Sequence, residues 1–220
     1  MPLTANERAV AAVTKGFLPD DEAEALHAAA LAAEGPFLEV GSYCGRSAVW
    51  LGAAARARGT VLFAVDHHRG SEENQQGWEW HDPEVVDPAT GRMDTLPFLR
   101  RTLAAADLED VVVPVVGASA VVGGAWATPL GFLFVDGGHG DDVVRADEVA
   151  WLPHVRAGGL LAIHDVFPDP ADGGRPPFEL YRRCIGSGLW HDLSTTGSLR
   201  VLRRSAEVME PFGSPTPLPH

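Results

Sequence analysis

The sequence predicts a single α/β domain, a mostly parallel sheet with helices on both faces, closed by a C-terminal hairpin. Three observations predict it. Short apolar runs alternate with longer helical segments from Asp20 onward. Two of those runs, Phe37 to Val40 and Val61 to Val65, bracket a glycine-bearing loop and a helix. Near the end, Leu189 to Leu193 and Leu199 to Leu202 flank Thr196-Gly197, a turn pair suited to a hairpin.

Each element follows in order. Asp20 to Ala33 is rich in alanine, glutamate and leucine and reads as a helix, with Asp20 as its N-cap after Pro19. Phe37 to Val40 is the first strand, Ser47 to Arg58 a helix ended by Gly59, and Val61 to Val65 the second strand. Residues 67–94 then show no periodic element. They hold Trp78, Trp80, His81 and two prolines, and read as a long lid or acceptor-binding loop. Helix signals return at Thr95 to Ala106. Strands are expected at Val111 to Val116, Phe132 to Val135 and Leu160 to Ile163, with helices at Asp141 to Leu152 and Phe178 to Ile185. The domain is expected over residues 1–204, and residues 205–220 read as a proline-rich tail.

Composition narrows the function. The 220 residues suffice for one full core, with 45% hydrophobic and 21% charged residues. The formal net charge is −13, and no cluster of lysine or arginine stands out, which argues against a nucleic-acid partner. Two cysteines, Cys44 and Cys184, make neither a disulfide framework nor a zinc ribbon. The N-terminal residues lack a basic region followed by an apolar run, and no apolar stretch is long enough to span a bilayer, so a cytoplasmic protein with no membrane partner is expected.

The stretch Phe37-Leu-Glu-Val-Gly-Ser-Tyr-Cys-Gly-Arg-Ser47 carries the strongest chemical signal, together with Asp66 at the end of the second strand. Glycines let the backbone approach a ligand, and an acid at a second strand end accepts from ribose hydroxyls. The pattern is acid-x-Gly-x-x-x-Gly rather than the Gly-x-Gly-x-x-Gly that seats a pyrophosphate, which disfavours a nicotinamide or flavin oxidoreductase. It resembles the first motif of class I S-adenosylmethionine-dependent methyltransferases. That resemblance implies a Rossmann-like sheet with an antiparallel last strand, over roughly residues 37–203. It also implies S-adenosylmethionine as cofactor. Gly41 and Gly45 would pass beneath its methionine part, and Glu39 would lie near its amino group or order the loop. Ser42 and Ser47 would face its carboxylate, Asp66 its ribose, and Ala118 and Ser119 its adenine.

On the acceptor side, Asp136, His139 in Asp-Gly-Gly-His-Gly, and His164-Asp165 follow strand ends. Ligands of open α/β sheets bind there. The pattern is similar to a bacterial branch that includes macrocin-type and aminocoumarin-type sugar O-methyltransferases, cephalosporin-hydroxylase-like proteins and the actinobacterial enzymes that methylate mannosides. The resemblance implies a divalent metal, magnesium first and manganese second, on Asp136, His164 and Asp165. Magnesium prefers oxygen, so Asp136 and Asp165 are the favoured ligands. Adjacent strand residues point to opposite faces, so both members of the pair reach one ion only if the chain leaves strand geometry. His139, with an ordinary pKa of about 6.5, is the candidate base, and Asp136 competes with it.

The expected activity is transfer of a methyl group to a hydroxyl of a small, sugar-like acceptor, with Trp78 and Trp80 as an apolar wall or as packing. A phenolic or natural-product acceptor and a non-catalytic cofactor binder remain open. A homodimer is the expected assembly.

Overall fold

The computed structural model describes residues 1–71, 74–78, 80–169, 172 and 175–206. Seven helices and nine strands are described, alternating along most of the chain: α1 (Ala5–Val13), α2 (Asp20–Ala32), β1 (Phe37–Val40), α3 (Arg46–Arg58), β2 (Leu62–Asp66), β3 (Val86–Asp87), β4 (Arg92–Met93), α4 (Leu96–Ala105), β5 (Val112–Val116), α5 (Ser119–Gly124), β6 (Leu130–Val135), α6 (Asp141–Trp151), β7 (Val155–Ile163), α7 (Arg175–Gly186), β8 (Trp190–Thr196) and β9 (Leu199–Arg204).

Seven strands form one sheet in the order β5-β2-β1-β6-β7-β9-β8. The β5–β2, β2–β1, β1–β6 and β6–β7 pairs are parallel, and β9, the last strand of the chain, runs antiparallel to both neighbours. The expected fold class is therefore observed, a Rossmann-like sheet of the methyltransferase type. Strand order reverses at β1. The chain moves outward through β2 and β5, then returns to place β6 on the other side. A crevice opens at such a reversal, beyond the C-terminal strand ends.

Side-chain alternation splits the core into two layers. Phe37, Phe132, Phe134 and Ala162 face α2 and α3, where Leu26, Ala30 and Leu51 pack against them. Leu38, Val40, Leu133, Val135, Leu161 and Ile163 face the opposite layer, with Val144, Trp151 and Leu180 from α6 and α7. Each fully buried leucine or phenylalanine contributes about 1.5–3 kcal/mol over an exposed one. No described helix is long and apolar enough to cross a membrane.

Several details differ from the sequence reading. Helix α1 is an addition to it, started by a capping box between Thr4 and Glu7. Asp20 is the first helical residue of α2, and Pro19 takes the cap position. Residues 67–94 contain a short 3₁₀ turn (Pro83–Val85) and the two-residue ladder β3–β4, too brief to leave a periodic trace. Strand β7 begins at Val155 and runs through Gly158-Gly159, with a register shift against β6. Helix α5, at six residues, is too short to show a helical period. The expected tail lies outside the described residues from position 207 onward.

Candidate active site

The glycine loop is built by steric need. Gly41 adopts φ +87°, and a Cβ there would lie 2.1 Å from the carbonyl oxygen of Asp136. Gly45, at φ +97°, opens α3 in the left-handed conformation. The loop thus passes directly over the end of β6, at the reversal of strand order.

Glu39 shares its face of β1 with Phe37 and points toward α3. It is fully buried. Ser47 Oγ donates to its Oε2 at 2.9 Å, while Oε1 has no hydrogen-bond partner. Burial pushes its pKa up to about 8, against the Ser47 bond, and the charges of Asp136 and Asp66 add to the rise. Ser47 therefore serves Glu39, not the outside of the loop. Ser42 Oγ is also buried without a partner. Asp66 collects three backbone donors: Ser42 N at 3.0 Å and Tyr43 N at 2.9 Å on Oδ2, and His68 N at 2.7 Å on Oδ1. The same carboxylate expected at the ribose thus also ties the glycine loop to β2. Oδ1, with one such donor, keeps a second lone pair with which to accept from a hydroxyl. Ala118 caps α5, and Ser119 Oγ accepts from Trp151 Nε1 at 2.7 Å, so its hydroxyl is turned inward. Cys44 is buried, and burial pushes its thiol up to about 12, which leaves it unreactive.

On the acceptor side the structure gathers Asp136, His139, His164 and Asp165. Asp136 and His164 continue β6 and β7 on the same face, and His164 Nδ1 lies 2.8 Å from Asp136 Oδ1. Asp165 would point to the other face, but it takes φ +55° and leaves strand geometry. Its Oδ2 then sits 3.0 Å from His139 Nε2 and 3.3 Å from His164 Nδ1. The condition set by the adjacent pair is met.

Sequence reasoning missed Glu22. It reaches in from the first turn of α2, its side chain 5% exposed, and its Oε2 lies 2.7 Å from His164 Nε2. Ser198 N and Oγ also donate to this carboxylate. The signal was present: Glu22 sits on the row Glu22, Leu26, Ala30 that α2 buries. Asp147 was missed in the same way, on the buried row Val144, Asp147, Trp151 of α6 beside Gly137. Burial raises its pKa.

Both ring nitrogens of His164 face carboxylates, so the ring is an imidazolium. Burial opposes that charge, but Asp136, Asp165 and Glu22 outweigh it and push the pKa up to about 12. Burial likewise opposes the charge of Asp165, and bonds from His139 and His164 hold it well below the usual carboxylate range.

Ligand atoms of Asp136, His164 and Asp165 lie within 4.8 Å of one another, as a metal triad requires. The donor set fits a hard divalent cation at the two carboxylates. His164 offers Nδ1 as the third ligand atom of that group. Without an ion, Nδ1 lies against Asp136 and Nε2 against Glu22, which places the ring to hold Asp136.

A Rossmann-like sheet with a glycine loop at the reversal point, an acid on β1 and another ending β2 defines a class, the nucleoside-cofactor methyltransferases. The chain belongs to the family described as "Methyltransferase domain", whose model matches residues 38–166. Its structure is similar to that of the O-methyltransferase NovP, with a TM-score of 0.61, 16% identity, 84% of this chain and 80% of that chain covered. It is similar to an O-methyltransferase from Bacillus cereus in complex with SAH, with a TM-score of 0.62, 16% identity and 93% of each chain covered. It is also similar to TomG from Streptomyces achromogenes, involved in tomaymycin synthesis and bound to SAM, with a TM-score of 0.57, 16% identity, 92% of this chain and 100% of that chain covered.

Proposed function

We propose that the protein transfers a methyl group from S-adenosylmethionine to a hydroxyl of a small, sugar-like acceptor, and that His139 removes the hydroxyl proton. The observation that carries this reading is the convergence of the buried Glu39 and the loop-bound Asp66 on one side of the reversal point with Asp136, His139 and Asp165 on the other. The first pair suits a cofactor with a cationic amino acid tail and a ribose, and the second group suits deprotonation of a weak acid.

Methyl transfer from a sulfonium is an in-line displacement, so the protein must align the acceptor oxygen and take its proton. Asp165 orients the His139 ring. Asp136 is the weaker candidate base, because its Oδ1 is already tied to the His164 imidazolium. Asp136 and Asp165 would hold a divalent ion, Mg²⁺ or Mn²⁺, which supplies Lewis acidity that lowers the pKa of an acceptor hydroxyl. A mannoside is one acceptor of the proposed class. A phenolic or natural-product acceptor is the second reading, supported by the similarity to TomG with its part in tomaymycin synthesis.

Calorimetric titration with S-adenosylhomocysteine tests the cofactor, and transfer of a labelled methyl group to a panel of saccharides and catechols, with and without EDTA, tests the acceptor. Micromolar binding followed by saccharide methylation is expected. Failure to bind the cofactor under either condition would remove the proposal, and methylation of catechols alone would replace its acceptor.

A further inference from the structure

We propose that the groove between the α1–α2 connection, the glycine loop and the 67–94 insertion is a subsite for a second pyranose ring of a saccharide acceptor. The inference rests on the sugar-like reading above and specifies how far the acceptor extends.

The groove encloses about 320 Å³, within the range of about 300–1000 Å³ typical of small-molecule sites. Three aromatic side chains from three separate segments line it: Phe17, Tyr43 and Trp80. Phe17 stacks edge-on against Trp80 at 5.4 Å and tilts against Tyr43 at 5.6 Å. Phe17 is 57% exposed and Trp80 50% exposed, so the cluster shows its faces to solvent instead of filling a core. Aromatic faces of this kind pack against the C–H face of a pyranose.

The polar groups around them match a neutral polyol. Lys15 Nζ lies 2.5 Å from Asp82 and 2.5 Å from Glu84, one cation against two carboxylates. The cluster offers donors and acceptors to hydroxyls, and its excess negative charge repels phosphates and other anionic acceptors. His81 Nδ1 lies 3.1 Å from the carbonyl of Asn74, which places the ring's lone pair on Nε2, able to accept from a hydroxyl.

A chain of contacts leads from His81 in the groove to the loop that carries His139. Asn74 Oδ1 accepts from the backbone and hydroxyl of Ser71 at 3.0 and 2.8 Å. Ser71 packs on Gly138, close enough that a Cβ on Gly138 would lie 2.8 Å from Ser71 Cβ. Gly138 adjoins His139. Tyr43 in turn belongs to the loop that Asp66 holds.

The test compares mono- and disaccharides of the mannose and glucose series as methyl acceptors of the full chain. The wild-type protein is expected to show a kcat/KM for disaccharides about tenfold above that for monosaccharides. Trp80→Ala and Phe17→Ala are expected to reduce that ratio to near one, chiefly through KM, and Phe17→Trp to retain it. Saturation-transfer NMR should show the C–H protons of the outer ring in contact with the wild-type protein and lose that signal in Trp80→Ala. A ratio unchanged by both alanine variants would overturn the subsite and leave the methyltransferase reading intact. A wild-type protein that binds S-adenosylhomocysteine and methylates catechols but no saccharide would overturn the subsite together with the sugar-like acceptor.

Discussion

Glu22 Oε2 lies 2.7 Å from His164 Nε2, a contact across 142 residues of sequence that ties the first turn of α2 to the end of β7. It fixes the ring that in turn fixes Asp136. Breaking a buried pair by removing one partner leaves an uncompensated charge and costs about 3–5 kcal/mol. Glu22→Gln is therefore expected to lower unfolding stability at pH 7 by about 3 kcal/mol. The pH dependence has a definite sign. The folded pKa of His164 is raised from an ordinary 6.5 to about 12, so its stabilisation is complete below pH 6.5 and fades as pH rises toward 12. Denaturant titrations of the wild type should show that decline between these limits, and Glu22→Gln should flatten it. Equal slopes in the two proteins would show that Asp136 and Asp165 hold the imidazolium without Glu22.

Glu39 has the opposite consequence. Its folded pKa is raised to about 8, so the folded state holds a proton that the unfolded chain has lost, and stability falls as pH rises from about 4.5 to 8. Glu39→Gln, without cofactor, is expected to be more stable than the wild type at pH 8 by an amount on the order of 4 kcal/mol, and equal to it near pH 4.5. A cofactor α-ammonium placed beside Glu39, as proposed, would favour the carboxylate, so binding of S-adenosylhomocysteine at pH 7 should release a proton. Calorimetry in buffers of different ionisation enthalpy measures that release directly. A heat independent of buffer would mean that Glu39 only orders the loop through Ser47.

Much of this architecture is legible in the sequence because it is local. Apolar runs, the glycines at Gly41 and Gly45, and acids at strand ends follow from backbone geometry that neighbouring residues dictate. What stays hidden depends on partners distant in sequence. Asp66 reads as a free acceptor because nothing nearby in the sequence announces that Ser42 and Tyr43 fold back onto it. Ser47 reads as a cofactor contact for the same reason, although the buried Glu39 claims it. His164 reads as a metal ligand, and nothing near it in the sequence announces that Glu22 lies on its far side. An acid on the buried row of an amphipathic helix, as at Glu22 and Asp147, is the overlooked signal.

The glycine loop makes a comparison between two left-handed glycines possible. Gly59 ends α3 at φ +64°, and a Cβ there would meet nothing within 4 Å, whereas one at Gly41 meets the Asp136 carbonyl. Gly59→Ala should therefore carry only the left-handed penalty of about 1–2 kcal/mol and bind S-adenosylhomocysteine normally. Gly41→Ala adds a clash with backbone at the cofactor crevice. It is expected to lose about 3 kcal/mol or more, from the same penalty and the forced backbone shift together, along with measurable cofactor binding. Similar thermal midpoints for the two variants would show that the loop moves freely away from β6.

Variants of His139 and Asp165 separate the proposed base from the proposed ion. Loss of a general base lowers rates by about 10²- to 10⁴-fold, so His139→Ala should lose that much in kcat while keeping its affinity for S-adenosylhomocysteine. Asp165 contacts His139 and is one of the two proposed oxygen ligands, so Asp165→Asn should reduce kcat and also weaken the response to added Mg²⁺ or Mn²⁺. Asp136→Asn should weaken the metal response and retain more of kcat than His139→Ala, because the proposed base remains. If EDTA leaves turnover unchanged in the wild type while His139→Ala abolishes it, the carboxylates act without an ion. In that case His164, already paired with Asp136, is the cation around which the site is organised.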